Sequence, residues 1–140
     1  MKRVLVVEDD ANERFTLTRV LERVGYEVVA ASTADEAIAA LPGLGFHAVV
    51  SDVMMPATDG VSLARTIAER APGTPIILVS AFHLGPRQVD RLRIDTLHFL
   101  DKPIDIDQLL AVLAEPHRGP GARGSVTSIE AMMNPGRARE

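Results

Sequence analysis

The 140-residue chain contains no cysteine, no long hydrophobic run and no excess of positive charge. The absence of cysteine excludes a disulfide scaffold, a thiolate metal site and a cysteine nucleophile, and it suits a cytoplasmic protein. No apolar run approaches the roughly 18 residues of a transmembrane helix, so we expect no membrane insertion. The first apolar stretch is also too short for a signal peptide. The net charge of −4 argues against direct DNA binding.

Charge and composition divide the chain into a body and a tail. Residues 1–114 carry 11 Lys and Arg against 16 Asp and Glu, whereas residues 115–140 carry 4 against 3 and are rich in proline and glycine. We therefore predict one folded domain over 1–114, followed by a mostly flexible tail over 115–140. A short amphipathic helix near 125–134 is compatible with the pattern of that tail.

Short apolar runs alternate with amphipathic helical patterns along the body. Strands are predicted at 4–7, 26–30, 48–50, 75–79 and 97–100. The first helix is expected to bury Phe15, Leu17, Val20, Leu21 and Val24. Thr33 with Glu36 forms a capping-box pattern for the second helix, and Asp105 can cap the last. The fourth helix, marked by Val89 and Leu92, has the weakest pattern.

Apolar strands that alternate with helices are typical of a parallel sheet covered on both faces. The predicted fold is α/β, with a doubly wound five-stranded parallel sheet of the flavodoxin-like (βα)5 type.

Polar residues follow four of the predicted strands directly. The first strand runs into Glu8-Asp9-Asp10, the third into Asp52, the fourth into Ser80 and the fifth into Asp101-Lys102-Pro103. In a doubly wound sheet these strand ends meet at the edge where ligands bind. Several carboxylates at close range need a compensating charge, and oxygen ligands of this kind suit Mg²⁺.

A magnesium ion beside a carboxylate, a hydroxyl and an ammonium is suited to phosphoryl transfer. The carboxylate of Asp52 can attack phosphorus and hold an acyl phosphate. The metal and Lys102 can offset the charge on the transferring oxygens. The sequence has neither of the two common Gly-rich phosphate loops, so a nucleotide is not the expected ligand.

Four motifs in this order and spacing make the body resemble a response-regulator receiver domain of two-component signalling, here of the stand-alone type. They read Val6-Val7-Glu8-Asp9-Asp10, Ser51-Asp52-Val53-Met54-Met55-Pro56-Ala57-Thr58-Asp59-Gly60, Val79-Ser80-Ala81 and Phe99-Leu100-Asp101-Lys102-Pro103. The resemblance covers residues 1 to about 114. The 26 residues after Ala114 are too few for the DNA-binding or enzymatic domain that many response regulators carry.

The resemblance implies a phosphoacceptor and a metal site. Asp52 is implied to accept the phosphoryl group as an aspartyl phosphate. Asp9 is implied to contact Mg²⁺ directly and Glu8 largely through water, with Asp52 and the backbone carbonyl of Met54 completing the protein ligands.

The resemblance also implies a switch. Ser80 takes the position of the hydroxyl that moves toward the phosphoryl group, and Lys102 pairs with that group. Phe99 takes the position of the aromatic ring that turns inward when the hydroxyl moves. The Lys102–Pro103 peptide bond is expected to be cis.

Several residues also have a purely structural interpretation. Asp10 is expected to be a helix N-terminal acid, and Asp59-Gly60 a turn before the third helix. Phe99 can be a plain core residue. The four histidines, His47, His83, His98 and His117, lack ligand spacing and are expected on the surface or in loops.

Three functions remain open at this point. The first is a phosphorylation-dependent switch, charged by a histidine kinase or phosphotransfer protein. It would change the binding of a downstream protein, or its own dimerisation, through the face of the fourth helix, fifth strand and fifth helix. The second is a phosphate sink or phosphorelay intermediate without its own output. The third, an aspartyl-nucleophile phosphatase, would need a second Asp where Met54 stands. We therefore expect no classical enzyme, but a phosphoacceptor that supports its own phosphotransfer and slow autodephosphorylation.

Overall fold

The computed structural model describes residues 2–43, 45–55, 58–81 and 93–115, with only the backbone of 54, 55, 58 and 59. The strands are β1 (Arg3–Val7), β2 (Glu27–Ala31), β3 (Ala48–Asp52), β4 (Met54–Met55), β5 (Thr58–Asp59), β6 (Ile76–Ser80) and β7 (Leu97–Asp101). The helices within the described residues are α1 (Ala11–Arg23), α2 (Ala34–Ala40), α3 (Gly60–Arg70) and α4 (Ile106–Ala114).

The main sheet has five parallel strands in the order β2-β1-β3-β6-β7. This is the doubly wound order in which the chain begins near the middle and winds outward in both directions. The predicted fold class is thereby confirmed. The edge formed by the carboxyl ends of β1, β3, β6 and β7 collects the residues that follow those strands.

Alternate residues of each strand face opposite layers of helices. In β1, Val4 and Val6 pack with Leu17 of α1 and with Leu109 of α4. Leu5 and Val7 pack in a second apolar cluster, formed with residues of α2 and α3. Because both sheet faces are covered, the strands are buried and their sequences read as continuous apolar runs.

Side-chain caps fix the starts of three helices. Asp10 accepts a hydrogen bond from the Glu13 N–H at 2.9 Å, and Asp105 accepts one from the Asp107 N–H at 2.9 Å. Thr33 Oγ1 accepts from the Glu36 N–H at 3.1 Å. The reciprocal bond of the predicted capping box is shifted by one residue, since the Glu36 carboxylate accepts from the backbone N–H of Ser32 at 2.8 Å.

Three expectations about packing were wrong. Phe15 and Val24, predicted to be inward members of the first helix, are 65% and 52% exposed. Leu17 and Leu21 define the buried face of α1, and a residue two positions away from Leu17 does not share that face. His98, expected on the surface or in a loop, lies inside β7 and is buried.

Two predicted features lie outside the residues that the structure describes, and one observed feature was not predicted. The weak fourth helix near Val89 and Leu92 lies outside the described residues, as does the tail after Glu115. The antiparallel pair of β4 and β5 was not predicted, because two residues per strand show no periodicity. Among the described helices, none has the length and apolar character needed to cross a membrane.

Candidate functional site

The carboxyl edge of the sheet brings an ammonium group onto three carboxylates. Lys102, just after β7, places its Nζ atom 3.0 Å from Asp52 Oδ2 at the end of β3. The same Nζ lies 3.6 Å from Glu8 Oε2, just after β1, and 3.4 Å from Glu13 Oε2 in α1. Asp52 and Glu8 are buried, whereas the Glu13 side chain is half exposed. The cluster therefore reaches from the sheet edge to the solvent.

Backbone contacts hold the acidic turn after β1 in place. The Asp10 N–H donates to Glu8 Oε1 at 3.1 Å, and the Glu8 N–H donates to the carbonyl of Ala31 at 3.0 Å. Arg14 Nη1 donates to the carbonyl of Glu8 at 2.8 Å. Arg14 thus ties the first turn of α1 to the turn that carries the acids.

Burial and a neighbouring negative charge destabilise the ionised form of Glu8. Burial raises the pKa of Glu8 to about 7, and the negative charge of Asp52 and a side-chain hydrogen bond with Asp9 act in the same direction. The Asp10 N–H and the charge of Lys102 oppose this shift of the pKa. A buried carboxyl with such neighbours gains from any additional positive charge.

Lys102 stays charged in this setting. Burial by itself lowers the pKa of Lys102, but the hydrogen bond to Asp52 and the charges of Glu8, Asp52 and Glu13 outweigh it and raise the pKa above its usual value. The site therefore presents a fixed ammonium on the oxygen of Asp52.

The remaining predicted residues occupy the same edge or its surroundings. Ser80 ends β6 and is buried, and its carbonyl accepts a hydrogen bond from the Lys102 N–H at 2.8 Å. Phe99 of β7 is partly buried and packs against the apolar cluster that contains α2 and α3 residues. The Lys102–Pro103 peptide bond is cis. Met54 lies in β4, two residues after Asp52.

The carboxylates that come close together are not quite the set predicted from the sequence. Single oxygens of Glu8, Glu13 and Asp52 lie within 4.8 Å of one another. Asp9 is exposed and does not belong to this group. Asp10 serves as the N-cap of α1.

This donor set fits a hard divalent cation. The close groups are all carboxylates, which are the ligands that Mg²⁺ prefers, and they include no thiolate or imidazole. Burial is the largest cause of the raised pKa of Glu8, and the charge of Asp52 adds to it, so the ionised form of Glu8 is disfavoured even beside Lys102. A divalent cation would stabilise that ionised form.

Gly60, at the start of α3, lets the backbone after Asp52 approach this helix closely. A Cβ atom at Gly60 would lie 2.7 Å from Val53 Cα and would also meet the carbonyl oxygen of Asp52. The Gly60 N–H donates to the Val53 carbonyl at 2.7 Å. The predicted Asp-Gly turn therefore has a structural role directly beside Asp52.

Sequence reasoning missed Glu13 and Arg14. Both lie in the first turns of α1, after the acidic run, and neither follows a strand directly. The available signal was the N-cap at Asp10, because residues just inside a helix that starts at the ligand-binding edge lie near that edge.

A doubly wound five-stranded sheet with an aspartate, an acidic pair and a lysine at its strand ends is the arrangement of a receiver domain. The sequence matches the family model of the response regulator receiver domain over residues 4–114. The chain belongs to that family.

Individual relatives are similar over the same part of the chain. The transcriptional regulatory protein FixJ of Bradyrhizobium diazoefficiens is 34% identical over 110 residues, which are 79% of this chain and 54% of FixJ. The response regulator protein FleR of Pseudomonas aeruginosa is 37% identical over 112 residues, which are 80% of this chain and 24% of FleR. The chain therefore spans about half the length of FixJ and a quarter of FleR.

A solved structure shares both the fold and part of the sequence. The response regulator protein TrrA of Thermotoga maritima, solved in complex with Mg²⁺ and BeF, has 29% identity and a TM-score of 0.70, covering 79% of this chain and 95% of that chain.

Proposed function

We propose that this receiver domain is a phosphorylation-dependent signalling switch whose phosphoacceptor is Asp52. The observation that carries the proposal is the contact of 3.0 Å between Lys102 Nζ and Asp52 Oδ2. Asp52 is buried at the edge where ligands bind, and its ammonium partner suits a phosphoryl group equally well. The phosphodonor is a histidine kinase or a phosphotransfer protein.

In the proposed reaction, a carboxylate oxygen of Asp52 attacks the phosphorus of the donor. An O–P bond forms while the bond between phosphorus and the donor atom breaks, and the electron pair leaves with the donor. Lys102 offsets the charge on the phosphoryl oxygens, and the hydroxyl of Ser80 donates a hydrogen bond to one of them.

A magnesium ion is the cofactor we propose for this site. Glu8, Asp9, Asp52 and the carbonyl of Met54 are the groups we expect to hold it. When bound, Mg²⁺ stabilises the negative charge that spreads over the phosphoryl oxygens during transfer. The domain supports its own phosphotransfer and slow autodephosphorylation, and is not a classical enzyme.

Intact mass after incubation with Mg²⁺ and acetyl phosphate tests the proposal. We expect one phosphoryl adduct on the wild type, and none on Asp52→Asn or with EDTA. The matched control is Asp35→Asn, which changes an exposed acid in the first turn of α2 and should keep the adduct. An adduct on Asp52→Asn equal to that on the wild type would refute Asp52 as the phosphoacceptor.

The proposed output is a change in protein binding. We propose that one surface binds a downstream protein or a second copy of the chain. This surface is formed by the helix predicted near Val89 and Leu92, by β7, and by α4, which is the helix predicted as the fifth. Of these elements, β7 and α4 lie within the described residues. In this proposal, the ring of Phe99 turns inward and becomes more buried when the Ser80 hydroxyl moves, and this movement links the phosphorylation site to the binding surface. Light scattering and pull-downs with and without beryllofluoride test this step. Binding that does not change with beryllofluoride would favour a phosphate sink or relay intermediate.

The cytoplasm remains the predicted compartment.

A further inference from the structure

Glu13 is the one carboxylate of the cluster that the helix, not a strand end, supplies. Its Oε2 atom lies 3.4 Å from Lys102 Nζ, close to the distances at which Asp52 and Glu8 contact the same ammonium. The side chain is 53% exposed, whereas those of Asp52 and Glu8 are each 7% exposed. Glu13 therefore contacts Lys102 from the solvent side of the site.

The start of α1 fixes where Glu13 stands. Asp10 caps the helix by accepting from the Glu13 N–H at 2.9 Å, which holds the backbone of Glu13 in the first turn. Arg14, the next residue, donates a hydrogen bond from its side chain to the carbonyl of Glu8. Glu13 also lines a cleft of about 680 Å³, together with Glu8, Lys102 and residues of α1 and the segment before α4. An anion that binds Lys102 from this cleft therefore lies near the Glu13 carboxylate.

The Glu13 charge has opposite consequences for the two ligands of the site. Its negative charge attracts a cation that binds beside it at Glu8 and Asp52, since single carboxylate oxygens of the three residues lie within 4.8 Å of one another. The same charge repels an anionic phosphoryl group and competes with that group for Lys102. A partly exposed charge at contact distance changes such affinities by about two- to fivefold, because solvent screens a large part of its field.

We propose that Glu13 is a positioning residue that holds the Lys102 ammonium in the unphosphorylated domain. Its charge raises the affinity of the site for a cation and lowers the affinity of the site for an anion. The inference rests on the proposed function and deepens it. Glu13 neither accepts the phosphoryl group nor replaces the strand-end acids. It sets how readily Lys102 moves to an incoming phosphoryl oxygen.

The test compares Glu13→Gln with Glu22→Gln, which removes an exposed carboxylate near the other end of the same helix. Calorimetry measures Mg²⁺ affinity on the unphosphorylated proteins. Calorimetry with beryllofluoride, at saturating Mg²⁺, measures affinity for a phosphoryl mimic, and intact mass measures the rate of adduct formation with acetyl phosphate. Glu13→Asp keeps the charge and is the conservative variant.

Glu13→Gln is expected to weaken Mg²⁺ binding about two- to fivefold. At saturating Mg²⁺, the same variant is expected to bind beryllofluoride more tightly and to form the adduct faster by a similar factor. Glu22→Gln should match the wild type, and Glu13→Asp should lie between. Opposite shifts are the diagnostic result, since general damage to the site would weaken both ligands.

Two results would overturn the inference. One is a Glu13→Gln protein indistinguishable from Glu22→Gln, and the other is a loss of both affinities together. Failure of the proposed function looks different, because the wild type itself would then form no adduct and show no Mg²⁺-dependent binding of beryllofluoride.

Discussion

Replacing Glu8 by glutamine should stabilise the metal-free protein at alkaline pH. Glu8 is only 6% exposed, and burial, the charge of Asp52 and the hydrogen bond with Asp9 raise its pKa from 4.5 to about 7. The folded state therefore binds a proton more tightly than the unfolded state. Stability from this group is lost as pH rises from about 4.5 through 7, and the full cost is present above pH 7.

The size of the effect follows from that pKa shift. Each unit corresponds to about 1.4 kcal/mol, so a rise from 4.5 to about 7 gives roughly 3 kcal/mol as an upper value. Glutamine keeps an oxygen that can accept from the Asp10 N–H but carries no charge. We expect about 2 kcal/mol in practice, because the charged site also relaxes by admitting water. For a domain of this size, the melting temperature should rise by about 6–10 °C.

Thermal and urea denaturation at pH 8.5 and pH 5, in EDTA, measure the difference. Glu22→Gln, an exposed change on the same helix, is the control and should behave as the wild type. The gain of Glu8→Gln should be large at pH 8.5 and mostly absent at pH 5. Adding Mg²⁺ at pH 8.5 should stabilise the wild type more than the variant. Equal stability of wild type and Glu8→Gln at pH 8.5, or a gain independent of pH, would refute the argument.

Three further changes test other parts of the structure. Lys102→Met should cost about 2 kcal/mol of stability at pH 8.5 without metal, because buried Asp52 loses its contact with the ammonium group; urea denaturation measures this cost. Gly60→Ala should cost about 2–4 kcal/mol, since the new Cβ would lie 2.7 Å from Val53 Cα, and an unchanged urea midpoint would contradict this. Burial lowers the pKa of His98, so wild-type stability relative to His98→Leu should fall as pH drops below 6.5; a pH-independent difference would count against it.

The sheet and most of the helices could be predicted because burial on both faces leaves a plain record in the sequence. Val4 to Val7 and Ile76 to Val79 are apolar without interruption, and helix caps such as Asp105 stand where the helices begin. The short β4–β5 pair left no such record. The predicted inward orientation of Phe15 was wrong. The sequence does not show whether an apolar residue near the edge of the apolar face of a helix is still covered by the core.

His98 shows a different limit of sequence reasoning. A histidine without metal-ligand spacing is expected on the surface or in a loop, yet His98 is buried inside β7. Its Nδ1 atom has no hydrogen-bond partner within the described part of the chain. The neutral ring can occupy such a position, and burial keeps it neutral by lowering its pKa.

The candidate site was foreseeable to the extent that strand ends supply it. Asp52, Glu8 and Lys102 follow strands directly, and the parallel sheet brings their positions together regardless of detail elsewhere. The contribution of Glu13 depends on the angle at which α1 leaves the acidic turn, and that angle is set by the Asp10 cap and the bond from Arg14 to the Glu8 carbonyl. The contact of Glu13 with Lys102 joins residues 89 positions apart, so it depends on tertiary packing that spacing in the sequence does not show.

The charges of the site also indicate an order in which its ligands are favoured. Three carboxylates around one ammonium leave a formal charge of −2 when all are ionised. An anionic phosphoryl group alone would add to that excess, whereas a divalent cation would cancel it. Uptake of the phosphoryl group should therefore depend steeply on prior cation binding. Glu13 adds to this dependence from the solvent side, because its charge attracts the cation and repels the phosphoryl group.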